Sequence, residues 1–467
     1  MVQGGVQLPW EFGALEALQR WPVERRAVLL HSGRFHRRWA RWSILSEPLG
    51  TFRFSGAGSH WIGPSALRPA IQFTHRPMTD LRAALGATQG LWIGHVSYDL
   101  GRWVETLPSV TVDDRDWPLV DLGWCPGYLV HDGLTNTWRA LGRWESGGFP
   151  DLASAAPKQA TFTASRSRST FTRRGYERSV ARVLNYIAAG DVFQVNLAQR
   201  FTMTFEGPAP LATRSLFDRL ATASPAWYGA YLETVGDDGG SGRAIASTSP
   251  ELFLEVDDHG RVITRPIKGT RPASVEVDEL RHSEKDKAEL AMIVDLMRND
   301  LGRVCDYGSV RVPQARVIES HPTVHHGVAT IEGRLHASKD VMDLLRATVP
   351  GGSVTGAPKI RAMQIIDELE PVRRGPYCGC IGYLSARTAC LNIAIRTLLI
   401  DPAAQRLDYS VGGGIVADSE PALEYEETIH KAAAMRAALG AASQRARTSG
   451  RAGARHDVES RTPTPRS

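Results

Sequence analysis

The chain has 467 residues, of which 42% are hydrophobic and 22% are charged. This composition is too apolar for a disordered chain and allows a large buried core. The net charge of +5 is uneven, because residues 445–467 contain six arginines and only two acidic residues. The rest of the chain is close to neutral, which argues against a nucleic-acid partner. Residues 443–467 have no apolar period and are predicted to be a disordered basic tail.

The cysteine pattern and the hydropathy indicate in which cellular compartment the protein is located. The five cysteines are odd in number and contain no C-x-x-C pair, so neither a disulfide framework nor a zinc site is indicated. No stretch approaches 18 uncharged apolar residues, and the N-terminus lacks a basic segment followed by an apolar run. The sequence therefore predicts a cytoplasmic protein with reduced thiols and no membrane partner.

The elements predicted along the chain divide it into three parts before the tail. Residues 1–146 are short strand-like segments and turns with many tryptophans, and they predict a β-rich N-terminal lobe. Residues 147–169 are rich in Ser, Ala, Pro and Thr without a period, which is typical of a linker or a long surface loop. Residues 170–442 mix helical and strand-like patterns and are predicted to form a second, larger domain.

The mixed pattern of residues 170–442 also indicates a fold class. The predicted helices are 176–187, 283–298, 341–348, 359–368 and 422–439. The predicted strands are 192–198, 229–232, 252–256, 261–267, 378–384 and 391–400. Since these elements show no steady βαβ rhythm, the sequence favours an α+β protein with antiparallel sheets.

Two predicted helices carry carboxylates at helical spacing. Asp286 and Glu289 are three residues apart and project from one helix face, and Glu424 and Glu427 repeat the spacing near the C-terminus. Four converging carboxylates repel each other unless a cation lies between them, and oxygen ligands favour Mg²⁺ over zinc or copper. The alternative is that each pair is a solvated helix face next to lysines.

Lys268 stands at the end of an apolar strand, between a proline and a glycine, in the segment R-P-I-K-G-T-R-P at 265–272. Burial and neighbouring cations lower the pKa of a lysine, and the neutral amine is a nucleophile. The flanking Arg265 and Arg271 are candidates for those cations. The alternative is an ordinary surface lysine.

Two glycine-rich turns offer backbone N–H groups for a carboxylate or a phosphate. They lie at 350–359 (PGGSVTGAPK) and at 411–416 (VGGGIV), the second just before the acidic C-terminal helix. Neither turn matches G-x-x-x-x-G-K-[ST] or G-x-G-x-x-G, so nucleotide binding is disfavoured. Plain structural turns are the alternative.

In these segments, and over most of its length, the chain resembles the chorismate-utilising enzymes. The matching segments are LLHSG at 29–33, SYDLGRW at 97–103, GDVFQVNL at 190–197, VDLMRNDLGRV at 294–304, IIDELEP at 365–371 and GIVADS at 414–419. The likeness is greatest to the aminodeoxychorismate synthase branch, which shares P-I-K-G-T, whereas anthranilate synthases have alanine in place of Lys268. Isochorismate and salicylate synthases place a water-activating lysine where this chain has Gln194.

The resemblance implies a fold and a site. The fold is two intertwined lobes, with large antiparallel sheets packed as a sandwich and flanked by helices. Lys268 would attack C2 of chorismate while Glu251 protonates the departing C4 hydroxyl. A Mg²⁺ cofactor would bind Glu289 and Glu427 directly, and Asp286 and Glu424 through water. The implied substrate-binding residues are Arg396, Tyr383, Gly269, Thr270, His326, Thr355, Gly413, Gly414 and Lys431.

The implied reaction adds ammonia at C4 and gives 4-amino-4-deoxychorismate, a precursor of p-aminobenzoate and folate. The synthase-like segments take up the length of the chain and no glutaminase domain is visible beside them, so a separate glutamine amidotransferase subunit is the expected source of ammonia. One alternative is anthranilate synthase component I, which would also release pyruvate. An alternative of another class is a catalytically silent chorismate-binding scaffold subunit.

Overall fold

The computed structural model describes residues 4–321 and 324–440. The predicted basic tail at 443–467 lies outside the described residues. Within these two ranges, no helix is long and apolar enough to cross a membrane.

The described chain is built from 24 strands and ten α-helices. The strands are β1 (Val6–Leu8), β2 (Val28–His31), β3 (Trp42–Ser46), β4 (Gly50–Ser55), β5 (Gly58–Ile62), β6 (Leu91–Val96), β7 (Val120–Cys125), β8 (Gly127–Asp132), β9 (Thr137–Gly142), β10 (Thr163–Ala164), β11 (Arg168–Ser169), β12 (Gln194–Glu206), β13 (Tyr228–Val235), β14 (Ser241–Ser249), β15 (Leu252–Val256), β16 (Arg261–Arg265), β17 (Ile267–Pro272), β18 (Arg311–Ser320), β19 (Val324–Arg334), β20 (Gly356–Ala357), β21 (Cys380–Leu384), β22 (Ala389–Ile393), β23 (Thr397–Asp401) and β24 (Arg406–Ile415). The helices are α1 (Ala14–Arg20), α2 (Pro77–Gly86), α3 (Arg173–Ala188), α4 (Leu211–Ala223), α5 (Val277–His282), α6 (Glu284–Gly302), α7 (Val341–Thr348), α8 (Lys359–Leu369), α9 (Pro421–Lys431) and α10 (Ala433–Ala438).

The strands form two large sheets, one of 13 strands and one of 11. The main path of the first is β1-β9-β8-β3-β2-β13-β14-β23-β24-β12-β10, and that of the second is β17-β19-β16-β15-β22-β21-β6-β7-β4-β5. Each sheet takes strands from both sides of the segment 147–169, because β2 pairs antiparallel with β13 and β6 pairs antiparallel with β21. The two lobes are therefore intertwined, and the predicted α+β class with antiparallel sheets is confirmed.

The inner faces of the two sheets share one buried cluster. Val28 and Ile245 of the first sheet lie in it with Ile93 and Ile381 of the second. A larger cluster forms where helices α6, α7 and α8 cover the sheets, and another lies beneath α1, α4 and α10. Burial of this apolar surface is the main force that holds sheets and helices together.

Several predicted elements match the observed ones closely, and others are divided. Strand 252–256 and helix 341–348 have the predicted bounds, and helix 176–187 is part of α3. The predicted strand 261–267 is two strands, because Pro266 has no N–H with which to continue a ladder. The predicted strand 391–400 is broken between β22 and β23, where Arg396 has a φ of 50°.

Candidate active site

Lys268 lies in β17 and directs its amine toward the backbone of β24. An ideal Cβ placed on Gly414 would lie 3.1 Å from Lys268 Nζ. Burial lowers the pKa of this lysine, and the positive charge of Lys431 lowers it further. The carboxylates of Glu289, Glu251 and Glu427 oppose the shift without cancelling it. Lys268 therefore loses its proton and becomes a neutral amine more easily than an ordinary lysine does.

The cation that lowers the pKa of Lys268 is neither of the two predicted arginines, Arg265 and Arg271. Arg265 donates a hydrogen bond to Glu319 and lies 4.1 Å from the centre of the Trp39 ring. Arg271 donates to Asp286 Oδ2 at 2.9 Å. Both arginines thus bind other groups. Lys431 of the distant helix α9 is instead the cation that lowers the pKa of Lys268.

Glu251 lies in the short connection between β14 and β15 and is only 4% exposed. Burial raises its pKa to about 7, although a hydrogen bond with Ser353 and the charge of Lys268 favour the carboxylate. A carboxyl group with this pKa is substantially protonated at neutral pH. Glu251 can therefore donate a proton to a leaving group next to Lys268.

The four predicted carboxylates come from helices α6 and α9, and Glu289 of α6 and Glu427 of α9 both act on the pKa of Lys268. Burial raises the pKa of Glu289 on α6, and the nearby Asp286 and Glu427 raise it further. Burial also raises the pKa of Glu424 on α9, with a further contribution from Glu427. Burial opposes the ionisation of Glu427 as well, but Lys431 keeps the pKa of Glu427 below its usual value. The two helix faces therefore converge.

Two of these carboxylates point to the same spot above Gly413. An ideal Cβ on Gly413 would lie 3.1 Å from Glu424 Oε2 and 3.5 Å from Glu427 Oε1. Glu424 Oε2 is buried and has no hydrogen-bond partner among the described residues, while Ser419 Oγ donates to Glu424 Oε1 at 2.6 Å. A buried carboxylate oxygen without a donor leaves room for a cation, and all-oxygen ligands suit Mg²⁺.

Asp286 and Glu427 are each paired with a cationic side chain. Arg271 binds Asp286, and Lys431 lies 2.6 Å from Glu427 and donates to the Gly412 carbonyl at 3.0 Å. Across residues 4–321 and 324–440, no three His, Cys, Asp or Glu side chains are grouped as a metal site. The donor chemistry fits Mg²⁺, and the assignment of the four ligands stays a prediction.

A chain of three polar residues extends from β17 to the break after β22. Thr270 Oγ1 lies 2.9 Å from His326 Nδ1, and Arg396 Nη2 lies 3.5 Å from His326 Nε2. Burial and the charge of Arg396 hold the pKa of His326 well below its usual value, so the imidazole is neutral. Burial lowers the pKa of Arg396 to about 10, and no carboxylate in the described part of the chain opposes this shift. A ligand carboxylate would supply that missing charge.

Two other predicted substrate-binding residues, Thr355 and Gly269, lie in close contact with neighbouring parts of the protein. The Thr355 hydroxyl is fully buried and donates to the Gly351 carbonyl at 3.0 Å, within its own turn. Gly269 has a φ of 81°, and a Cβ there would lie 2.9 Å from Asp286 Cγ. Only glycine allows this close approach of β17 to α6.

Tyr383 lies in β21, within the second sheet. It lies in the cluster between the two sheets, with Ile93 among its neighbours. Burial raises its pKa well above the usual value, and the nearest groups that add to this are Cys390 and Glu255. The contact of Tyr383 with the substrate stays a prediction.

The sequence analysis noted Gln194 only as the position where isochorismate and salicylate synthases place a lysine, and did not count it among the substrate-binding residues. Gln194 is 1% exposed, and neither amide atom has a hydrogen-bond partner in the described ranges. Its Nε2 atom would lie 2.0 Å from a Cβ on Gly414, next to the Lys268 amine. The register of β12 against β24, which places Asn196 opposite Gly414, decides this position, and the comparison with the lysine of isochorismate and salicylate synthases is the signal in the sequence that points to it.

The intertwined sheets, the buried lysine and the buried acid indicate an enzyme, and the comparison with known families supports this. The chain belongs to the family described as chorismate binding enzyme, whose pattern matches residues 30–437.

Individual relatives carry more particular names. Aminodeoxychorismate synthase component 1 of Klebsiella aerogenes is 38% identical over 91% of this chain and 96% of its own length. Anthranilate synthase component 1 of Pseudomonas aeruginosa is 44% identical, over 63% of this chain and 58% of its own. The crystal structure of anthranilate synthase component I from Streptococcus pneumoniae has a TM-score of 0.71 at 28% identity, over 93% of this chain and 100% of that one.

Proposed function

We propose that this chain is the component of an aminodeoxychorismate synthase that adds ammonia to chorismate and forms 4-amino-4-deoxychorismate. The observation that carries the proposal is the Lys268 amine, whose pKa is lowered beside the buried acid Glu251. A relative of this name matches nearly the whole chain. The family resemblance implies alanine at the position of Lys268 in anthranilate synthases.

The proposed reaction consists of two allylic displacements. The neutral amine of Lys268 attacks C2 of chorismate, and the ring double bond shifts as the C4 hydroxyl leaves. Glu251 gives its proton to that hydroxyl, which departs as water. Ammonia then attacks C4, the double bond shifts back, and the C2–nitrogen bond to Lys268 breaks. The lysine is released and the product carries an amino group at C4.

Two further groups would hold the substrate. Arg396 is the proposed partner of the enolpyruvyl carboxylate, because a guanidinium binds a carboxylate through two parallel hydrogen bonds. Neutral His326 accepts from Arg396 and so orients the guanidinium.

Mg²⁺ is the proposed cofactor, held by Glu289 and Glu427 with Asp286 and Glu424 in the outer shell. When bound, Mg²⁺ would neutralise the ring carboxylate and withdraw electron density from the diene. Binding requires Glu427 to exchange its contact with Lys431 for the metal. Glu424 Oε2 already lacks a partner among the described residues.

The proposed source of ammonia is a separate glutamine amidotransferase subunit, and the proposed compartment is the cytoplasm. The product would feed the formation of p-aminobenzoate and folate.

Product analysis tests the proposal. The purified chain is incubated with chorismate, Mg²⁺ and ammonium, and the products are identified by mass and fluorescence. We expect a product with the mass of 4-amino-4-deoxychorismate and no pyruvate. Fluorescent anthranilate formed without an added lyase would instead identify an anthranilate synthase. Chorismate binding without turnover would identify a scaffold.

The Lys268→Ala variant is expected to lose the activity, and Lys287→Ala is the matched control. Lys287 pairs with Glu284 on the solvent side of α6 at 2.6 Å. Equal activity of the Lys268→Ala variant and the wild type would refute the proposed nucleophile.

A further inference from the structure

Thr270 and His326 face each other across two neighbouring strands. The register of β17 against β19 pairs Thr270 with His326, and Thr270 Oγ1 lies 2.9 Å from His326 Nδ1. This is the usual distance of a hydrogen bond. Thr270 itself is exposed, whereas His326 is 2% exposed. The threonine hydroxyl is therefore a polar partner of a buried imidazole.

The other ring nitrogen of His326 faces a cation. Arg396 Nη2 lies 3.5 Å from His326 Nε2. A guanidinium has five N–H donors and no acceptor, so the contact is attractive when Nε2 carries a lone pair and repulsive when Nε2 carries a proton. Arg396 thus favours an imidazole whose Nε2 atom is free of a proton.

The charge state of His326 leaves one place for the imidazole proton. Burial and the charge of Arg396 hold the pKa of His326 well below its usual value, so the ring is neutral and carries a single proton. Because Nε2 faces a donor, that proton lies on Nδ1. The Nδ1–H group then donates to Thr270 Oγ1, and the threonine acts as the acceptor.

The histidines near this ring do not offer a competing acceptor. The His321 ring stands edge-on to His326, with 5.3 Å between the ring centres. His325 is the next residue of the strand and therefore points to the opposite face, where its Nδ1 atom lies 2.9 Å from Ser320 Oγ. In the part of the chain that the structure describes, the His326 ring hydrogen-bonds to Thr270 and Arg396.

We propose that Thr270 is a positioning residue, which fixes His326 as the Nδ1–H tautomer and thereby holds Arg396 in place for the carboxylate of the substrate. This inference rests on the proposed function, and it changes the predicted role of Thr270 from a direct substrate contact to an action through His326. Without the hydroxyl, the buried Nδ1–H group would lack an acceptor. The ring would then rotate, or move its proton to Nε2, and lose its contact with Arg396.

Nitrogen NMR of the full chain tests the tautomer. The histidine rings are isotope-labelled at nitrogen, and the His326 signals are those that disappear in His326→Gln. His325→Gln is the matched control, because it removes the neighbouring ring. We expect a protonated Nδ1 and an unprotonated Nε2 in the wild type and in Thr270→Ser, and loss of this pattern in Thr270→Val. A protonated Nε2 in the wild type, or an unchanged pattern in Thr270→Val, would overturn the proposal.

Substrate affinity tests whether the effect passes through Arg396. Chorismate binding is measured by calorimetry with Mg²⁺ in the Lys268→Ala chain, which cannot form the proposed adduct. We expect the added Thr270→Val to weaken binding about tenfold and Thr270→Ser to stay within about twofold. Thr135→Val is the matched control, since Thr135 pairs with Thr137 at the surface at 2.8 Å.

The Arg396→Gln background separates the two possible roles of the hydroxyl. There, Thr270→Val should change chorismate affinity by less than about twofold, because the group through which it acts is gone. An equal tenfold loss in both backgrounds would show that Thr270 contacts the substrate itself and would overturn the positioning role. If the wild type formed no aminated product from ammonium, the proposed function would fail, and the NMR measurement would still decide whether Thr270 fixes the tautomer.

Discussion

The Lys268 amine and the Glu251 carboxyl favour each other's charged form, yet burial outweighs this attraction at both groups. The pKa of the lysine falls and the pKa of the acid rises, so both move toward neutrality. A neutral nucleophile next to a protonated acid is the pair of protonation states that the first displacement requires. With ordinary pKa values the two groups would form an ion pair. The protonated amine could then not act as a nucleophile, and the ionised carboxylate could not act as an acid.

We expect a covalent adduct on Lys268 when ammonia is absent. Chorismate and Mg²⁺ alone should convert the chain to a species heavier by chorismate less one water, because the second displacement lacks its nucleophile. Intact-mass spectrometry detects the adduct and peptide mapping locates it. The adduct should be absent in Lys268→Ala and present in Lys287→Ala. Amination without any adduct in rapid-quench samples would argue for direct attack of ammonia.

The rate of adduct formation should fall as the pH rises above about 7. Glu251 acts as an acid only while protonated, and its raised pKa of about 7 sets the pH at which half of it loses the proton. Glu251→Gln should lose about 100-fold or more of the rate and the descending limb near pH 7. The measurement is a single-turnover pH profile without ammonium, so the ionisation of ammonia does not contribute. A descending limb retained in Glu251→Gln would contradict the assignment.

Glu424→Gln should weaken Mg²⁺ binding by about tenfold or more, because the variant replaces a buried carboxylate whose Oε2 atom lacks a partner among the described residues. Isothermal titration with Mg²⁺ alone measures this without reference to activity. Glu426→Gln is the matched control, since Glu426 lies on the same helix and pairs with Arg173 at 2.7 Å at the surface. Equal Mg²⁺ affinity of the two variants would exclude Glu424 from the metal site.

Replacement of Arg374 by leucine should destabilise the fold by about 3–5 kcal/mol. Arg374 and Glu370 are both buried and lie 2.6 Å apart, and Arg374 also donates to the Val354 carbonyl at 2.8 Å. The variant leaves the Glu370 charge buried without its partner. Urea unfolding gives the free energy.

Arg182→Ala serves as the control for that measurement, because its pair with Glu368 is largely exposed and should contribute less than about 1 kcal/mol. An equal loss of unfolding free energy in both variants would show that the buried Arg374–Glu370 pair contributes no more to stability than the exposed pair.

Local patterns determined the element types, because helical and strand periods are properties of neighbouring residues. The periods predicted α3, β15 and α7, and the i, i+3 spacing predicted which carboxylates share a helix face. Six matching segments carried the family resemblance, and the motif around Lys268 favoured the aminodeoxychorismate synthase branch.

The tertiary structure decided which of these local features meet. Residues 268 and 431 are far apart in the sequence, and only the packing of α9 against β24 brings Lys431 close enough to lower the pKa of Lys268. The register of β12 against β24 likewise brought Gln194 into the site, and the same long-range strand pairing left Tyr383 between the sheets. Contacts between distant segments depend on topology and on burial, which no local period encodes.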